Sequence, residues 1–156
     1  MALAEFMEYG EAYATDIVSN ARAFAGALAA EGFDVLAESR GYTASHQVLT
    51  RHGELDSGAG AKAAQRLEEA GIITNMNMLP GDTKAMTPSG LRLGVQELTR
   101  VGFSNDDMEE VASFYARVLL HGEDPAAVRA DVHALKQQRQ TIRYCFNEDE
   151  RSGYPE

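Results

Sequence analysis

Residues 3 to about 31 carry one continuous helical pattern, and a helix of that length at the start of a chain limits what the rest can fold into. Phe6, Tyr9, Tyr13, Ile17, Phe24 and Leu28 recur at spacings of three, four or seven. Alanine is abundant between them, and Glu31-Gly32 supplies the stop. The opposite face is small or polar, with Glu8, Glu11, Asp16, Ser19 and Arg22. A lone domain rarely begins with so long a helix unless another body covers part of it.

The remaining pattern predicts short strands and helices. "FDVLAES" and "SHQVLTRH" read as two strands, with "RGYTA" as the turn between them. "HGELDSGAG" is a loop in which Asp56 or Ser57 is available to cap the helix predicted over 59–70. "IITNMNM" is a strand that runs into Pro80-Gly81-Asp82, and a loop of about ten residues leads to a strand around Arg92. A short turn over Gln96–Arg100 follows. Ser104 with Asp107 resembles a capping box for a helix reaching Leu120, whose buried stripe is Met108, Val111, Tyr115, Val118 and Leu119. Asp124-Pro125 starts a last helix that turns Val128, Val132 and Leu135 inward. The element order and short links predict an α/β fold of α+β two-layer type, a small, mainly antiparallel sheet with helices on one face. One domain is expected over residues 1–140, followed by a polar, loose tail over 141–156.

Composition removes several function classes. The chain has 156 residues, 44% hydrophobic and 24% charged, as suits one globular domain that needs neither metal nor disulfide for stability. A net charge of −10 argues against nucleic acid and against an anionic membrane surface. The single cysteine, Cys145, rules out an internal disulfide and suits a reducing compartment. No apolar run approaches a membrane span, and "MALAEFMEYG" is acidic where a signal peptide would be basic. These features predict a cytoplasmic protein.

Catalytic signatures are scarce. His46, His52, His121 and His133 lie at no metal-ligand spacing from one another or from Cys145. No nucleophile elbow or phosphate-binding glycine loop occurs, and Glu68-Glu69 reads as an exposed helix face. One region stands out. "NMNMLPGDTKAMTPSGLRLG" gathers Asn75, Asn77, Asp82, Lys84, Ser89 and Arg92 into a strand–loop–strand, and polar groups converging on a long loop are typical of binding sites. Arg92 alternates with Leu91 and Leu93, so its guanidinium needs a partner. Its planar fork suits a carboxylate or phosphate. An ion pair with an Asp or Glu of the same chain satisfies it equally well.

From about Phe6 to Leu120 the chain resembles the C-terminal small domain of serine hydroxymethyltransferase, a pyridoxal-phosphate enzyme of the aspartate-aminotransferase fold type. "AKAAQRLEEAGIITNMNMLPGD" is similar to the family's Glu-Glu-Ala-Gly-Ile-x-x-Asn-x-Asn-x-x-Pro-x-Asp stretch. "SGLRLGVQELTRVGF" is similar to its Ser-Gly-Ile-Arg-x-Gly-x-x-x-x-Thr-x-x-Gly-Phe, "GYTASH" sits where the family has Gly-Gly-Thr-Asp-Asn-His, and "DDMEEVASFYARVL" matches its final amphipathic helix. The resemblance implies that Arg92 grips the α-carboxylate of an amino-acid substrate of serine, threonine or glycine type. It places Asn77 at the folate pterin contact, and puts Ser89 and His46 beside the pocket with no assigned step.

The departures shape the functional expectation. "DTKAMTPSG" is one residue shorter than the family's loop and lacks its Ser-Pro-Phe, which counts against tetrahydrofolate and towards the threonine-transaldolase-like branch. The family's Schiff-base lysine, in a Thr-x-x-His-Lys setting, has no counterpart in Lys62, Lys84 or Lys136. Covalent pyridoxal chemistry needs that lysine and a partner for the ring nitrogen. The chain alone is therefore expected to be inactive. It is expected to act as the small subunit of a split enzyme whose large chain holds pyridoxal phosphate, with Met1 just before the helix favouring a natural start. The alternative is a non-catalytic module that binds a complete enzyme of this kind.

Overall fold

The structure, a computed structural model, describes residues 2–146. Helix α1 spans Ala2–Glu31. It ends where Gly32 takes a φ of 103° and the amide of Phe33 folds back to the Leu28 carbonyl at 3.0 Å. Four strands follow, β1 (Asp34–Val35), β2 (Gln47–Arg51), β3 (Asn75–Asn77) and β4 (Gly90–Gly94), with helix α2 (Ala59–Glu69) between β2 and β3. Helices α3 (Gln96–Arg100), α4 (Asp107–Leu119) and α5 (Pro125–Gln138) complete the chain. The sheet order is β1-β2-β4-β3 and every pairing is antiparallel. The two-layer, mainly antiparallel expectation holds.

The two sheet faces differ by strand alternation. Val48 and Thr50 of β2 and Leu91 and Leu93 of β4 are buried on the inner face. They join Ala21, Phe24, Ala25 and Leu28 of α1, Ala63 and Leu67 of α2, and Met108, Ala112 and Tyr115 of α4 in one core. Helices α1 and α2 both contact the sheet, and α4 packs along α1 and α2. The outer face carries Gln47, Leu49, Arg51, Asn75, Arg92 and Gly94, all half-buried or exposed. Helix α2 sits directly over the start of β4. A Cβ on Gly60 would press into the Gly90 carbonyl, and the Gly60 amide donates to the Pro88 carbonyl at 3.1 Å.

Several expectations shift. The "FDVLAES" strand shrinks to two residues, because Ala37 adopts a left-handed conformation (φ 63°) and starts a 3-10 turn over Glu38–Arg40. His46 lies just before β2 and not in it, since the Thr43 and Ser45 side chains hold a bend: Ser45 N–H donates to Thr43 Oγ1 and Gln47 N–H to Ser45 Oγ. Only the second half of the α1 stripe is buried. Phe6 is 63% exposed, with Leu3 and Met7 beside it at 75% and 82%. The capping box forms in half. The Asp107 carboxylate accepts from the Ser104 amide at 2.8 Å, but the Ser104 hydroxyl also donates to it, and Arg139 pairs with it at 2.6 Å.

Residues 141–146, the start of the stretch expected to be loose, dock on the body. The Arg143 amide bonds the Arg100 carbonyl at 2.8 Å, and the Tyr144 hydroxyl bonds Asp16 at 2.5 Å. Tyr144 also lies over Tyr13 with ring centroids 4.8 Å apart, and Cys145 is buried. The rest of that stretch, 147–156, lies outside the described residues.

Candidate functional site

The loop from Met78 to Ser89 is held by two carboxylates. Asp82 accepts from the Leu79 amide (2.8 Å), the Ser89 amide (3.0 Å) and the Ser89 hydroxyl (2.8 Å), and its second oxygen accepts from the Asp56 amide (2.7 Å). Asp56 reciprocates by accepting from the amides of Thr83 and Lys84, both at 2.8 Å, and from the Thr83 hydroxyl at 2.6 Å. Burial pushes the Asp82 pKa up, but the donated hydrogen bonds outweigh it and hold the carboxyl well below its ordinary range. The Thr83 hydroxyl, then the Lys84 amide, lower that of Asp56 in the same way. Two loops that are distant in sequence are thereby pinned to each other. Asp56 is used here rather than at the start of α2, where the Ser57 hydroxyl accepts from the Ala59 amide at 3.3 Å.

Ser89 is fully buried, its side chain given to Asp82 and its carbonyl to the His52 amide at 3.0 Å. It fixes the chain three residues before Arg92. Asn77 is half-buried, and its amide donates to the Met78 carbonyl at 2.6 Å. His46 is half-buried at the far end of β2, where Gln47 pairs with Gly94. The structure thus brings Ser89, Asn77 and Arg92 onto two adjacent strands and their loop, with His46 at the opposite end of the sheet.

Arg92 is exposed in the middle of the outer face. Its side chain makes no hydrogen bond or ion pair among the described residues. The other strand arginine, Arg51, pairs with Asp34 at 3.2 Å, so the internal ion pair that would satisfy a strand arginine forms there and not at Arg92. Gly90 and Gly94 stand on either side of Arg92 along the same face of β4, so no side chain of its own strand crowds the guanidinium. Across the sheet its neighbours are Leu49 on β2 and Asn75 on β3.

Sequence reading gave no part to His52, whose ring is half-buried against Phe33 and hydrogen-bonded to the Thr50 hydroxyl at 2.9 Å. Burial pulls its pKa down to about 4, against the opposing effect of Asp34. The role of Asp56 was also hidden, since its partners lie 27 and 28 residues along the chain. No group of His, Cys, Asp and Glu among the described residues is arranged to hold a metal ion. No helix there is long and apolar enough to cross a membrane.

Comparison with known proteins places this geometry. Residues 2–115 match the family model described as serine hydroxymethyltransferase. The serine hydroxymethyltransferase of Thermococcus kodakarensis is 54% identical over 146 residues, which are 92% of this chain. That of Methanopyrus kandleri is 49% identical over 148 residues. The crystal structure of L-threonine transaldolase from Pseudomonas fluorescens in its internal aldimine state matches with a TM-score of 0.84 and 32% identity, over 97% of this chain. In each case the chain spans 34% of the length of the relative.

Proposed function

The chain belongs to the serine hydroxymethyltransferase family, and on that premise we propose that it is the small subunit of a split enzyme of hydroxymethyltransferase or transaldolase type. Arg92 grips the carboxylate of a serine-, threonine- or glycine-type substrate, and a separate large chain supplies pyridoxal phosphate and its lysine. The observation that carries this reading is the exposed, unpartnered guanidinium of Arg92 on the sheet face opposite the helix-packed core.

The described residues do not fit the cofactor by themselves. Lys62, Lys84 and Lys136 are all exposed, Lys62 and Lys136 on helices and Lys84 in a loop. The starts of helices α2 and α5 are occupied by the chain's own groups. Asp124 caps α5 by accepting from the Ala126 amide at 3.0 Å, and the first amides of α2 go to Ser57 and Pro88. Bond making and breaking at Cα therefore belong to the partner, and this chain's part is to bind and orient. The first turns of α1, where Leu3, Phe6 and Met7 face solvent, give the partner an apolar surface to cover. Asn77 spends its amide on the adjacent backbone, which supports a reading without tetrahydrofolate.

Co-expression with the large chain gives a complex with the visible absorbance of bound pyridoxal phosphate. In that complex Arg92→Ala raises the KM for the amino acid by roughly 10- to 100-fold, the worth of a charge-assisted pair, and leaves the absorbance unchanged. Amino-acid binding equal to wild type would remove the carboxylate role. The second reading, a non-catalytic module on a complete enzyme, draws on the same exposed turns of α1. It is favoured if the captured partner is fully active without this chain.

A further inference from the structure

Arg92 does not stand alone on its face. Asn75 on the edge strand β3 is its direct cross-strand partner in the antiparallel register. Opposed residues of such a pair project from the same face with Cβ atoms roughly 5 Å apart. Asn75 is exposed, and its side chain, like that of Arg92, makes no hydrogen bond or ion pair among the described residues. On the other side Arg92 is opposed by Leu49, which offers no polar atom. Of the two residues directly opposed to it, one is thus polar and one apolar, while along β4 the Gln96 carboxamide lies over Gly94 on the same face.

The chemistry of the pair is complementary to a single ligand group. A guanidinium has donors only, and a bidentate carboxylate leaves lone pairs on its outer side. A carboxamide placed one strand away supplies an N–H to one of them. Asn77, two residues further along β3, does not compete, since its amide already serves the Met78 carbonyl. We propose that Asn75 is a second carboxylate-binding residue, donating to the anion that Arg92 holds and fixing it on the β3 side of the guanidinium. This rests on reading Arg92 as a carboxylate clamp.

The test is an NMR titration of the isotopically labelled chain with sodium acetate at constant ionic strength. The expected result is that the Arg92 Nε–H and the Asn75 side-chain NH2 signals move along one saturation curve while the Asn77 NH2 stays still. Asn75→Ala weakens acetate binding by roughly 3- to 10-fold, the worth of one hydrogen bond, with the fold intact. Asn75→Asp, which sets an internal anion opposite Arg92, abolishes binding. If the Arg92 signal moves and that of Asn75 does not, Asn75 has no part and the clamp stands. If neither signal moves, the clamp itself fails and Asn75 with it.

Discussion

On the inner face of β4, Leu91 and Leu93 are 0% and 2% exposed, surrounded by side chains of three helices. On the outer face of the same strand, Arg92 stands in solvent between two glycines. Neighbouring residues of one strand are thus held by different means. The inner pair is fixed by burial, at about 25 cal/mol for each Å² of apolar surface removed from water. The outer residue contributes nothing visible to packing, and its place is set by the strand that carries it. The strand is set in turn by Ser89 and by the carboxylate of Asp82 behind it. The fold thus does not need the Arg92 side chain for its packing, which is what the proposed carboxylate role requires of it.

The largest expected effect tests that asymmetry directly. Leu91→Ala empties a closed site and should cost about 2–5 kcal/mol, whereas Arg92→Ala should stay within about 0.5 kcal/mol of wild type, both measured by urea unfolding. An Arg92→Ala loss as large as that of Leu91→Ala would mean the guanidinium has a structural partner after all. Next comes Gly60→Ala, which drives a methyl group into the Gly90 carbonyl and pushes α2 off the start of β4. The expected loss is about 1–3 kcal/mol by thermal unfolding. An unchanged melting temperature would show that α2 does not fix the position of the Arg92 strand.

A pH-dependent effect concerns His52, whose amide donates to the carbonyl of Ser89. Its folded pKa is about 4, below the ordinary value of about 6.5. Between these values the unfolded chain binds a proton that the folded chain does not. Stability is therefore full above about pH 6.5 and declines as pH falls towards 4. Urea midpoints recorded from neutral pH down to about 4.5 should fall more steeply for wild type than for His52→Gln. Parallel curves would show that the ring is not desolvated.

Much of the fold was legible because it follows from periodicity. The α1 stripe from Ile17 to Leu28, the α4 stripe around Met108 and Tyr115, and the Leu91–Leu93 alternation each repeat at a spacing that only one secondary structure satisfies. The failures lie where conformation depends on a single residue or on a distant one. Nothing in "FDVLAES" announces that Ala37 turns left-handed and ends the strand. The α1 pattern runs evenly through Phe6, yet Phe6 stays exposed while Phe24 and Leu28 are buried where α4 and the sheet meet the helix. At the candidate site, Arg92, Ser89 and Asn77 are singled out by motif, but the reciprocal Asp56–Asp82 pinning is not. Hydrogen bonds from a carboxylate to amides many residues away leave no local pattern.

The sequence by itself determined the element order, the inward face of each long element and the identity of the arginine. Those are properties of spacing and of side-chain chemistry. Only the tertiary structure decided that Arg92 goes unpaired while Arg51 takes Asp34, that Asn75 rather than Asn77 has a free amide opposite it, and that the loop behind Ser89 is locked. The physical reason is range. Periodic burial is encoded within a few turns of chain, whereas the partner of a polar group is chosen by whichever donor or acceptor the packed core brings within hydrogen-bonding distance.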